Sequence, residues 1–102
     1  MIGNDRLYLA VRTLATAKGD IRSRVCIAML DVEKINHNEF YDKPALWERI
    51  QHLKKETSAK GGDVINGWQN RDKYENTALM RQNKTYIKYA EEIMTIWLET
   101  CE

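Results

Sequence analysis

Two histidines, two cysteines, two serines and one adjacent glutamate pair are the side chains on which a reaction could be built in this chain of 102 residues. Metal binding would need ligands at short spacing, yet His37 and His52 stand 15 residues apart with no cysteine near either. Nucleophilic catalysis would need an activated Ser or Cys. Ser23 and Ser58 lack the glycine-flanked elbow that exposes such a serine. Cys26 sits in an apolar pattern with no histidine beside it, which predicts a small core residue. Glu91 and Glu92 are neighbours on an expected helix and point to different sides, a poor arrangement for acid–base work. No catalytic residue, metal ligand, cofactor or small-molecule substrate is assigned. The expectation is a protein that is not an enzyme.

Binding chemistry has more to work with. "TLATAKGDIRSRV", residues 13–25, stops at Gly19 and restarts at Asp20. Three readings fit this corner. A helical hairpin turn needs only a glycine to end one helix and an aspartate to cap the next. A helix-turn-helix over residues 13–28 would use Ala15, Gly19, Val25 and Ala28 as its spaced small and branched positions, with Arg22 and Arg24 reaching base edges or phosphates. Against it, Lys18 and Asp20 flank the glycine where an apolar anchor belongs, and Asp20 would repel phosphate. A phosphate cradle fares worst, because Asp20 occupies the place of the anion.

A second basic stretch, "NRDKYENTALMRQNKTYIK" at 70–88, sets Arg71, Lys73, Arg81, Lys84 and Lys88 against Asp72 and Glu75. Tyr74, Tyr86 and Tyr89 lie among or beside them, the mixture that single-strand nucleic-acid binders use. Solvated helix faces with half-buried tyrosines account for the same pattern. Four glutamates follow at 91, 92, 99 and 102, and this basic-to-acidic polarity also suits head-to-tail packing or a partner contact.

The elements that would carry these groups are helical. Leu7, Ala10, Val11, Leu14 and Ala15 share one face of a helix expected over about 5–18, capped by Asn4 or Asp5 and ended by Gly19. Ile21, Val25, Ala28, Met29 and Val32 share another, from the Asp20 cap to about Ile35. Pro44, in the sequence Asp42-Lys43-Pro44, marks a third start, followed by Leu46, Trp47, Ile50 and Leu53. Residues 61–72 look irregular, with a turn at Asn66-Gly67 and Val64, Ile65 and Trp68 pinning the loop to the core. A helix is expected from about Lys73 to Gln82, after which Asn83 caps a new helix or bends the old one. The last helix, about Lys84 to Thr100, presents Ile87, Ala90, Met94, Trp97 and Leu98, with Tyr86, Tyr89 and Ile93 widening its apolar face. A face that wide suits a central position or a partner contact, so Tyr86, Tyr89, Ile93 and Trp97 are the expected protein interface. No stretch alternates convincingly as a strand.

These elements predict an all-α fold: one domain over residues 1–102, a compact bundle of four to five helices. A content of 43% hydrophobic and 30% charged residues places the chain among globular proteins. A formal charge of +1 gives no global field toward nucleic acid or anionic lipid, so such binding would need a local patch. No apolar run approaches the roughly 20 residues that cross a bilayer. The opening residues lack the apolar segment of a secretory signal, and the two cysteines fit reduced thiols, so a cytoplasmic location is expected.

"LYLAVRTLATAKGDIRSRV" and "YENTALMRQNKTYIKYAEEI", about half the chain, resemble a family of short, uncharacterised bacterial helical proteins. In that family an early helix, a glycine–aspartate corner and a late "RNxT…IAE" helix recur in this order. "MRQNKT" departs from it by placing Gln82 between Arg81 and Asn83. The resemblance implies a bacterial or mobile-element origin and a compact helical fold. It implies no activity and carries over no site residue. The functional expectation is therefore a protein-interaction or accessory module, homodimeric or bound to another protein. The alternative is a small nucleic-acid-binding regulator using Arg22 and Arg24, or Arg81, Lys84 and Lys88.

Overall fold

In the computed structural model, residues 2–61, 63–65 and 68–100 are described, with side chains at 5–61 and 72–100. Five α-helices carry the fold: α1 (Ile2–Thr16), α2 (Ile21–Val32), α3 (Pro44–Thr57), α4 (Lys73–Ala78) and α5 (Asn83–Thr100). A 3-10 turn at His37–Phe40 precedes α3, and two short strands, β1 (Asp63–Ile65) and β2 (Trp68–Arg71), precede α4. The protein is an all-α bundle with a small antiparallel hairpin at one margin.

The Gly19–Asp20 corner is a structural turn. Gly19 has φ +108°, and a Cβ there would come within 3.1 Å of the Ser23 Cβ, so both backbone and space call for glycine. Asp20 is extended, and its carboxylate accepts the Ser23 backbone N–H at 3.0 Å, an N-cap for α2. That hydrogen bond is the main cause holding the Asp20 carboxyl below its ordinary value. Arg6 reaches Asp31 at 3.7 Å, tying the start of α1 to the end of α2, as an antiparallel pair requires.

The core draws on every helix. Leu7, Ala10 and Leu14 come from α1, Val25, Ala28, Met29 and Val32 from α2, and Leu46, Ile50 and Leu53 from α3. Tyr74 of α4 and Tyr86, Ile93 and Ile96 of α5 complete it, each 1% exposed or less. Burying an isoleucine such as Ile96 stabilises the fold by about 1.5–3 kcal/mol. Phe40, on the 3-10 turn, is fully buried, so the "NHN" break delivers an anchor just after it.

Several expectations need correction. α1 begins at Ile2, which leaves Asn4 and Asp5 inside its first turn rather than capping it, and Ala15 faces solvent. α4 ends at Ala78 because Met80 and Arg81 switch to bonds three residues back, to Thr77 and Ala78, which tightens and closes the turn. Asn83 is the first residue of α5, and the carbonyl of Gln82 accepts its first bonds. The stretch expected to be irregular forms the hairpin, Ile65 opposite Trp68 and Asp63 opposite Arg71, with a bulge between Asp63 and Val64. The Asn66–Gly67 turn and the side chains of Val64, Ile65 and Trp68 lie outside the described residues.

α5 is rotated relative to the expected phase. Its buried line is Tyr86, Ile93, Ile96 and Thr100, while Ile87, Met94 and Leu98 are each about half exposed. Tyr86 and Ile93 are fully buried and so belong to the core, not to an interface. Trp97 is partly buried, with its ring 6.1 Å from that of Tyr8. Tyr89 packs edge-on against Tyr86 at 5.0 Å. The outward apolar line on α5 is Ile87, Met94 and Leu98.

Candidate functional site

The two arginines of the corner are engaged by nearby acceptors. Arg22 donates from Nη1 to the backbone carbonyl of Arg81 at 3.2 Å and from Nη2 to Asp20 at 3.4 Å. Arg24 donates from Nε to the carbonyl of Gly19 at 2.9 Å. Both guanidiniums therefore brace the corner, and Arg22 fastens it to the joint between α4 and α5. Arg81 is also engaged, donating to the Tyr89 hydroxyl and to Glu56 at 3.3 Å. Of the basic residues expected to meet nucleic acid, only Lys84 and Lys88 are exposed without an ion pair among the described residues. They stand one helical turn apart on α5.

Beside the corner, α2 and α4 leave a groove of about 400 Å³. Its apolar lining is Cys26, Ile27 and Leu30 from α2 with Ala78 of α4 and Leu79, the residue that caps it. Ile27 is 45% exposed and Leu79 58%, so the groove opens to solvent across branched side chains rather than backbone. Three carboxylates, Asp20, Asp72 and Glu75, share its edge with one guanidinium, Arg22. Asp20 is matched by Arg22. Asp72 accepts the Glu75 backbone N–H at 2.8 Å, and Glu75 has no cation among the described residues. The edge is therefore acidic. The Cys26 thiol registers it: burial, then Asp72, Glu75 and Asp20, push it up to about 11. Such a thiol is no nucleophile at neutral pH.

A second, charged site joins α3 to α5. Arg49 holds both Glu92 and Glu99 in ion pairs, and His52 sits 3.5 Å from Glu56, which Arg81 also reaches. A cavity of about 250 Å³ opens here, lined by His52, Leu53, Glu56, Lys88, Tyr89 and Glu92. Arg49 pairs with Glu92 across the seam and Glu56 with His52 and Arg81, an arrangement that clamps helices, while Lys88 has no ion pair among the described residues. Among the described residues no group of three or more His, Cys, Asp or Glu could hold a metal ion, and no helix is long and apolar enough to cross a membrane.

The groove was missed by sequence reasoning because α2 and α4 are about forty residues apart. Its only local trace is the pair Ile27 and Leu30, three apart, beside the buried Val25–Met29 face. The chain matches no protein-family model, no curated protein and no solved structure.

Proposed function

We propose that this chain is a non-catalytic protein-interaction module that holds a helical partner in the α2–α4 groove. The observation that carries the reading is the groove itself, an open apolar trough edged by carboxylates. Grooves of this form take the apolar side chains of an amphipathic helix, spaced three and four residues apart. An acidic edge favours a helix that carries lysine or arginine beside those anchors. The engagement of Arg22 and Arg24 with backbone carbonyls counts against the nucleic-acid reading, since a phosphate would have to displace bonds that hold the corner. A buried, protonated Cys26 is compatible with a cytoplasmic location.

The test compares two ligands: a helical peptide with leucines at i, i+3, i+4 and i+7 flanked by lysines, and short duplex or single-stranded DNA across a salt series. Peptide binding that Ile27→Glu abolishes supports the module. DNA binding that weakens with salt and disappears in Arg22→Ala/Arg24→Ala, with no peptide binding, overturns it.

A further inference from the structure

Resting on the reading of the groove as a docking site, we infer that its occupant is a second copy of this chain, which inserts the outward face of α5 at Lys84, Ile87 and Lys88. These three residues lie at i, i+3 and i+4, on one face of the first two turns of α5. Ile87 is 49% exposed, and both lysines are exposed with no ion pair among the described residues. An apolar knob between two cations is the complement of the groove, an apolar trough edged by Glu75 and Asp72, neither of which has a cation among the described residues. Met94 continues the same face two turns beyond Ile87 and is 47% exposed. Glu91 lies between them, where the positive part of the ridge ends.

The geometry follows from where the two surfaces sit. No residue of α5 lines the groove, so each copy offers a donor ridge and an acceptor groove built from different elements. Contacts of this kind run head to tail and add copies one after another. A single ridge in a single groove is a small interface, so the association is weak and grows with protein concentration. Its charged edge makes it sensitive to salt, because the screening length falls from about 30 Å at 0.01 M to about 3 Å at 1 M.

Light scattering on the eluting peak of a sizing column, across protein and salt concentration, reads this directly. The wild-type chain is expected to rise above monomer mass as concentration increases, and to fall back in high salt. Glu75→Lys and Lys84→Glu/Lys88→Glu should each weaken association by about tenfold or more, since each replaces attraction by repulsion at the edge. Dichroism checks that both variants keep their helices. Mixed one to one, they should associate again, because one supplies the intact ridge and the other the intact groove. A wild-type chain that stays monomeric overturns the inference. So does an oligomer indifferent to both variants, or a mixture that remains monomeric. If the chain is monomeric yet still binds the lysine-flanked peptide through Ile27, the module stands and only the identity of its partner falls.

Discussion

The rotation of α5 decides which side chains are core and which are surface, and a pair of alanine substitutions reads it out. Ile96 is fully buried among the side chains of the core, and Leu98, two residues on, is 52% exposed. Ile96→Ala removes buried aliphatic carbon and leaves a cavity that the neighbouring helices fill only in part, at a cost of about 2–5 kcal/mol. Against a total stability of roughly 5–15 kcal/mol for a domain of this size, that is a large share. It corresponds to a fall in Tm of about 10 °C or more. Leu98→Ala removes a side chain already half in water and should cost less than about 1 kcal/mol. Urea melts followed by far-ultraviolet dichroism, at low protein concentration to keep association out, give both values. Equal losses, or a larger loss at Leu98, would show that α5 presents a different face to the bundle and would refute the placement of its buried line.

Other substitutions probe the corner and the buried polar groups. Gly19→Ala forces an L side chain to φ +108° and into contact with Ser23, and should destabilise by about 1–3 kcal/mol in the same urea melts. The Tyr86 hydroxyl is buried without a hydrogen-bond partner among the described residues, and burial pushes its ionisation up to about 12; Tyr86→Phe should therefore leave thermal stability unchanged or raise it, and a clear drop in Tm would reveal a further partner. At pH 8, alkylation of the native Cys26 peptide, followed by mass spectrometry, should run about a hundredfold slower than that of a free thiol, given about 11 against an ordinary 9.0. Because the folded value for Asp20 is lowered, its stabilising effect is present above its ordinary 3.8 and is lost as pH falls through the folded value; Asp20→Asn should flatten the acid limb of a pH–stability curve.

The first half of the chain was readable because each of its helices spaces a run of apolar residues along one face. Leu7, Ala10 and Leu14, then Val25, Met29 and Val32, define those faces, and the structure buries them, while Tyr8, Leu9, Ile27 and Leu30 stay exposed elsewhere on the same helices. Local chemistry also marked the Gly19–Asp20 corner and the helix start at Pro44. α5 resisted because apolar residues occupy most of its circumference. Tyr86, Ile87, Ala90, Ile93, Met94, Ile96, Trp97 and Leu98 fit more than one rotation, and only the packing of α1, α2 and α3 selects among them. β1 and β2 are three and four residues long, too short for alternation to emerge. The groove depends on how far apart α2 and α4 settle, and no local pattern encodes that distance. The engagement of Arg22 and Arg24 was hidden for a related reason: each donates to a main-chain carbonyl, which every residue possesses.

The grip of Arg49 on Glu92 and Glu99 bears on how the molecule comes apart. The two carboxylates lie seven residues apart, so one guanidinium spans two turns of α5 and fixes its axial position against α3. A lysine ammonium is a single point of charge and could not straddle that interval. The α1–α2 seam closes mainly over carbon, which electrolyte hardly weakens. Concentrated salt should therefore slacken the molecule unevenly, with amides along the α3–α5 seam exchanging their hydrogens for deuterium ahead of those in the first hairpin.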